Sequence, residues 1–167
     1  MRNHDNPPTG EELDILQRLS NIPLGPLNLS AISIATNLYR AGQCLRVKME
    51  RERLARHNLS WTAFSMLYDL WIWGTLETRE LAISAGVTTA TVSNVTNTLE
   101  RRELCVRRTD PNDRRLVQVS ITEKGTGIMQ ELYPDFHRGE VEIIEGLSER
   151  EQELLAELLR KVIRNMS

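Results

Sequence analysis

Apolar side chains recur along this chain at helical spacing, and polar breakers divide the recurrence into separate elements. Leu13, Leu16 and Leu19 predict a short amphipathic helix over residues 11–19, which Pro23, Gly25 and Pro26 end. Ile32, Ala35, Leu38, Leu45, Met49 and Leu54 predict a long helix from about residue 29 to 56, with no proline inside it. Asn58 can take the left-handed conformation that closes a helix, and Ser60 can cap the next one. That next helix carries Trp61, Phe64, Leu67, Leu70 and Trp71 and stops at Gly74. Two shorter helices follow, over residues 77–85 and 88–102. A strand pair is predicted at 104–109 and 115–121, the second strand alternating Val117, Val119 and Ile121. Thr122 caps a helix that Pro134 should kink and Gly139 weaken. Ser148 and Glu151 form a capping box for the last helix, whose Leu154, Leu155, Leu158, Leu159 and Val162 make one stripe. The plan is mainly α: long helices at both ends and a helix–helix–hairpin unit in the middle.

A chain of 167 residues with 40% hydrophobic content can bury one sizeable core. No window approaches the 18 or so apolar residues of a membrane helix, and residues 1–14 contain no signal-like apolar run, so a soluble cytoplasmic protein is expected. Neither the two cysteines, Cys44 and Cys105, nor the three histidines have ligand spacing. No cofactor or metal is implied, and without a nucleophile–base pair or a phosphate loop an enzyme is the poorest reading.

The net charge of −2 hides a local excess. Between residues 101 and 115 stand six arginines (101, 102, 107, 108, 114 and 115) against Glu103, Asp110 and Asp113, whereas residues 131–157 are heavily acidic. Just before the basic stretch, Ala82, Gly86, Val92 and Val95 have the spacing of a helix-turn-helix, with a small residue for close approach and glycine for the tight turn. The second helix of that motif presents Thr88, Thr89, Ala90, Thr91, Ser93, Asn94, Asn97 and Thr98. Serine and threonine are poor helix formers, so a solvated face would more readily carry Glu, Lys and Gln. Short uncharged polar groups suit base edges and phosphates in a major groove. Arginines at a hairpin tip suit a narrow minor groove, because guanidinium is weakly hydrated.

With these elements together, the chain resembles MarR-type winged-helix transcriptional regulators over about residues 29–162. The most specific part is the wing signature Asp110-Pro111-Asn112-Asp113-Arg114-Arg115, followed by residues 117–125 (VQVSITEKG) and the Gly146-Leu147-Ser148-Glu149 step. The resemblance implies an N-terminal arm at 1–28, a winged helix-turn-helix lobe at 59–122, and an intertwined helical dimerisation region at 29–58 and 123–167. It implies a homodimer on double-stranded DNA, with helix 88–102 in the major groove. Arg115, with Arg114 beside it and Asp113 as brace, would reach the minor groove, and Arg107 would support the wing or touch phosphate. It also implies a cleft for a small aromatic or phenolic ligand, walled by Leu38, Leu45, Trp61, Phe64 and Tyr68. The function expected is a ligand-responsive homodimeric repressor of a pseudo-palindromic operator. The alternatives are a winged helix used for protein contact and a cysteine-based redox sensor.

Two residues depart from the family pattern. Glu103 stands where glycine usually follows the recognition helix, a place where positive φ would cost a non-glycine residue about 1 kcal/mol. Glu77 stands where Ser or Thr commonly caps, which should weaken that cap. Both cysteines are expected to be buried structural thiols.

Overall fold

The computed structural model describes residues 9–110 and 116–166. These fall in two compact units, the first ending at Val47 and the second beginning at Lys48.

In the first unit, α1 (Gly10–Ser20) is capped by Thr9, and α2 (Leu29–Met49), whose last two residues belong to the second unit, begins where Asn28 Oδ1 accepts the Ala31 N–H at 3.0 Å. The two helices are tied by a buried carboxylate. Glu12 accepts from the Ser33 hydroxyl and from Asn37 Nδ2, and Arg40 pairs with Glu11. The Ser33 and Asn37 bonds hold the Glu12 carboxyl below its usual range despite partial desolvation.

The α-helix that begins at Leu29 ends at Met49, earlier than the apolar period suggests. The chain continues as a π-turn over Glu50–Leu54 and a 3₁₀ turn over Ala55–His57. Asn58 closes this segment at φ 49°, with its N–H on Ala55 O and the Leu59 N–H on Leu54 O. This pair of bonds is a Schellman termination, and buried Leu54 and Leu59 supply its apolar contact. The wide turn is held against α6 (Glu123–Glu142) by ion pairs of Lys48 with Glu52 and Glu142, and of Arg53 with Asp135 and Glu142.

α3 (Trp61–Trp73) is capped by Ser60 and supplies the centre of the second unit, with Phe64, Met66, Leu67 and Leu70 buried. A two-residue strand, β1 (Leu76–Glu77), leads into α4 (Thr78–Ala85) and then α5 (Thr89–Arg101). β1 is too short for any periodicity to reveal, and it makes the wing a three-stranded antiparallel sheet. In that sheet β3 (Val117–Ile121) lies between β1 and β2 (Cys105–Thr109). Cys105 faces Ile121 and Thr109 faces Val117 across the hairpin, and Val119 is the fully buried position of the alternation.

Pro134 and Gly139 both lie inside α6, which continues through them to Glu142. Gly139 has a packing reason: a Cβ there would lie 2.6 Å from Met49 Sδ. α7 (Glu149–Arg164) has the expected capping box at Ser148 and buries none of its residues within this chain.

Two expectations are corrected. Glu77 does not leave α4 poorly started, because the Glu80 carboxylate reaches back to accept the Glu77 N–H at 2.7 Å. Cys44 is exposed, not buried. It follows Leu38 by six residues, so at 100° per residue it points well away from the apolar side of α2.

Glu103 takes the left-handed conformation at φ 60°. Its N–H bonds Glu100 O and the Leu104 N–H bonds Leu99 O, so α5 also ends in a Schellman motif, with glutamate where glycine is favoured. The Glu103 carboxylate meets Lys124 at 2.7 Å in an exposed pair, which offsets little of the backbone cost. Glu103→Gly is therefore expected to raise the thermal midpoint by on the order of 2 °C at fixed protein concentration, read by circular dichroism.

Candidate nucleic-acid interface

The helix-turn-helix is built from α4 and α5. Leu81 and Ala82 of α4 are buried, and Gly86 makes the turn at φ 63° while the Val87 N–H bonds Ala82 O at 3.0 Å. α5 packs through Val92, Thr96 and Leu99, all buried. Thr88 is the N-cap, its hydroxyl oxygen accepting the Thr91 N–H at 3.1 Å.

Burial on one side leaves the opposite stripe of α5 open. Thr89, Ala90, Ser93, Asn94 and Thr98 are exposed, and Thr91 and Asn97 are half-buried. The hydroxyls do not lie idle in this state. Ser93 Oγ donates to Thr89 O at 3.0 Å and Thr98 Oγ1 to Asn94 O at 3.2 Å. With its hydrogen turned inward, each oxygen keeps lone pairs directed outward, ready for base amino groups or backbone donors. Such back-bonding satisfies a helix made against propensity, and it can be exchanged for a partner at small cost.

The cationic groups divide. Arg101 lies along the open stripe, with Nε on Asn97 O at 3.4 Å and Nη2 on Thr98 Oγ1 at 3.2 Å. It continues the 3–4 spacing from Asn94 and Asn97, a signal already present in the sequence beside the polar positions of this helix. Arg107 is turned inward and meets the Glu100 carboxylate through Nε at 2.9 Å and Nη2 at 2.7 Å, while its N–H bonds the same group at 3.1 Å. These contacts pull the Glu100 carboxyl below its usual range and fasten β2 to α5. Arg108 is exposed on β2. The last described rung of the hairpin is the Asp110 N–H on Leu116 O at 2.9 Å. Asp113, Arg114 and Arg115 lie outside the described residues.

Of the residues expected to line a ligand cleft, Trp61, Phe64 and Tyr68 share one aromatic cluster of α3 and α6. Phe64 stacks on Phe136 with centroids 4.1 Å apart, and Tyr68 on Tyr133 at 5.7 Å. Partial burial and the Tyr68 hydroxyl raise the Tyr133 phenol above its ordinary value. Leu38 and Leu45 are half-buried on α2, in the first compact unit. Cys105 is buried with Sγ directed to Thr96 O at 3.7 Å, and burial pushes its thiol up to about 11, so it is a poor redox sensor.

Acid should loosen the scaffold that carries this interface. Glu52 is held down at about 2, by the Lys48 and Arg51 hydrogen bonds, and Glu142 is lowered by Lys48 and Arg53. A carboxyl whose folded value is depressed stabilises the fold above its unfolded value and loses that contribution as pH falls toward its folded value. Unfolding by urea should therefore show stability declining from about pH 4.5 to about 2, and Glu142→Gln should flatten the decline. An unchanged profile in that variant would show that these pairs contribute nothing to the fold.

Comparisons with known proteins agree with this geometry. Residues 59–117 match the model of the MarR family. The chain is 58% identical over 156 residues to YwaE, an uncharacterized HTH-type transcriptional regulator of Bacillus subtilis, covering 93% of this chain and 91% of that one. MhqR, an HTH-type transcriptional regulator of the same organism, is 32% identical over 126 residues, covering 75% of this chain and 86% of its own length. Among solved structures, Bordetella bronchiseptica BpsR, whose DNA binding is regulated by 6-hydroxynicotinic acid, superposes with a TM-score of 0.71 at 26% identity, over 77% of this chain and 97% of that one.

Proposed function

The chain is a transcriptional regulator of the MarR family, and we propose that it acts as a homodimeric repressor that binds a pseudo-palindromic stretch of double-stranded DNA. The observation that carries this reading is the open face of α5, polar and uncharged from Thr88 to Thr98, on a helix whose other face is buried. In this reading Thr89, Ala90, Ser93, Asn94 and Thr98 meet the major groove, with Thr88, Thr91 and Asn97 at its edge and Arg101 on phosphate. Arg115 enters the adjacent minor groove from the wing, with Arg114 on phosphate and Asp113 as brace. Arg107 supports the wing base.

A dimer is supported by the apolar stripe of α7, which the described residues leave exposed: Leu154, Leu155, Leu158 and Leu159 are 37–51% exposed. In this reading the N-terminal arm is residues 1–28, the helical dimerisation region 29–58 and 123–167, and the DNA-binding lobe 59–122. No described helix is long and apolar enough to cross a membrane. A winged helix used only for protein contact would need neither the uncharged polar stripe nor the arginines around it.

A small aromatic or phenolic acid is the effector class this reading favours, held against Trp61, Phe64 and Tyr68. Regulation of BpsR by 6-hydroxynicotinic acid supports the class. The ligand would release DNA by favouring a conformation whose two α5 helices no longer match successive major grooves. The test starts from duplexes enriched by the protein from a random-sequence pool. Arg115→Ala should weaken the enriched duplex and reduce the salt slope by about 1. An unchanged affinity and slope would remove the wing from the interface. A thermal-shift series of hydroxylated aromatic acids addresses the effector, and no shift across the series would oppose ligand control at this cluster.

A further inference from the structure

We propose that Arg102 is a positioning residue for DNA recognition: its guanidinium laces the end of the recognition helix to the end of the segment that follows α2. This rests on reading α5 as the DNA-contacting helix. By sequence, Arg102 is one more charge in a basic patch. Its side chain instead turns to main chain 44 and 45 residues earlier, donating from Nη1 to Asn58 O at 2.8 Å and from Nη2 to His57 O at 2.7 Å.

Both ends of this bridge are special. Asn58 and Glu103 are the two non-glycine residues with positive φ among the described residues, and Arg102 directly precedes one and bonds the other. Each sits at the left-handed position of a Schellman termination, Leu54–Leu59 in one and Leu99–Leu104 in the other, with both leucine pairs buried. Strained backbone of this kind persists where the surroundings over-determine it, and its coincidence with a long-range bridge points to a position that must be held. The carbonyls at the end of a helical segment carry partial negative charge, so a guanidinium across two of them makes charge-assisted bonds. The planar fork spans adjacent carbonyls as a single ammonium cannot.

The consequence is geometric. α5 is held at its N-terminal end by the turn at Gly86 and along its buried face by the core. The Arg102 bridge fixes its C-terminal end to the Ala55–Asn58 turn. Freed there, the helix can tilt about its buried face of Val92, Thr96 and Leu99 and its Glu100–Arg107 tie to β2, and the open stripe loses its registration with base edges while every phosphate-facing charge is kept.

This predicts a pattern distinct from that of a phosphate contact. With the enriched duplex and a mixed-sequence duplex titrated at several salt concentrations, Arg102→Ala should weaken the enriched duplex on the order of tenfold, comparable to losing one base contact. The salt slope and the mixed-sequence affinity should stay at wild-type values, and Arg102→Lys should restore only part of the loss. Arg101→Ala, the comparator, should weaken both duplexes and lower the slope by about 1. Should Arg102→Ala lose its native circular dichroism, Arg102→Gln is read in its place. A slope reduced by about one, or an enriched-duplex affinity equal to wild type in a folded variant, overturns the bridge alone. Failure of the wild-type chain to enrich any duplex overturns the bridge and the DNA reading together.

Discussion

Replacing Leu155 and Leu158 together by glutamate is expected to leave a folded chain that sediments as a monomer and binds its duplex on the order of a hundredfold more weakly. The two side chains are 43% and 47% exposed on α7, on a stripe with Leu154, Leu159 and Val162 that none of the described residues buries. A contiguous apolar strip of this length marks an interaction surface. Glutamates on an open face cost the monomer little, since they disturb no internal packing, but a dimer would have to bury four extra carboxylates without partners. The DNA penalty follows from lost bivalency: a monomer reads one half-site, and the second contact is no longer made at high effective concentration. Sedimentation velocity and duplex titration on the same preparation check both halves. A variant that remains dimeric would remove α7 from the interface.

The second large effect is on the fold. Gly125→Ala should lower stability by about 3 kcal/mol, or roughly 10 °C in thermal midpoint. Gly125 is buried in the first turn of α6, where a Cβ would fall inside the contact radius of Leu104 O and 2.8 Å from Ile121 Cγ1. Neither neighbour can give way cheaply. Leu104 O already accepts the Thr122 N–H at 3.1 Å, and the Thr122 hydroxyl both donates to Glu103 O at 2.6 Å and accepts the Gly125 N–H at 3.0 Å. Gly127, two residues on, supplies the control: nothing lies within 4 Å of its Cβ position. Gly127→Ala should therefore stabilise, by up to about 1 kcal/mol from helix propensity. Opposite signs two residues apart in one helix would separate packing from propensity. Destabilisation by both would mean that α6 tolerates no added methyl in this turn.

The caps show why so much of the fold was legible. Ser60, Thr88, Thr122 and Ser148 each announce a helix start through a local hydrogen bond to the amide three residues on, and a local signal needs no knowledge of the tertiary fold. Gly86 and Asn58 announce ends in the same way. The sequence did not show where regular helix gives way at Met49, because the apolar period runs on to Leu54. Contacts distant in sequence hold the π-turn there, among them the Arg53 pairs with Asp135 and Glu142 of α6, more than 80 residues away. β1 escaped notice because two residues carry no alternation, and Cys44 because its side of α2 depends on angle and not on composition.

In the candidate site, the open stripe of α5 was readable in part from spacing: Val92 was expected on the packed face and lies there, whereas Val95 is half-buried and Thr96 and Leu99 complete that face. The roles of the arginines were less so: Arg101, Arg102 and Arg108 look equivalent in sequence, yet Arg102 closes on two carbonyls, and Arg107, expected to support the wing or touch phosphate, closes on Glu100. Charge counting treats every cation as facing the polyanion, and only the geometry of the partners says which ones do.

The central claim is that two copies of this chain place α5 in successive major grooves on one face of a duplex. Base-methylation interference on the enriched duplex tests it most directly. Two patches of major-groove interference, centred about 10 base pairs or 34 Å apart and related by the pseudo-dyad, are the predicted result. A single patch, or binding indifferent to methylation in the major groove, would contradict it.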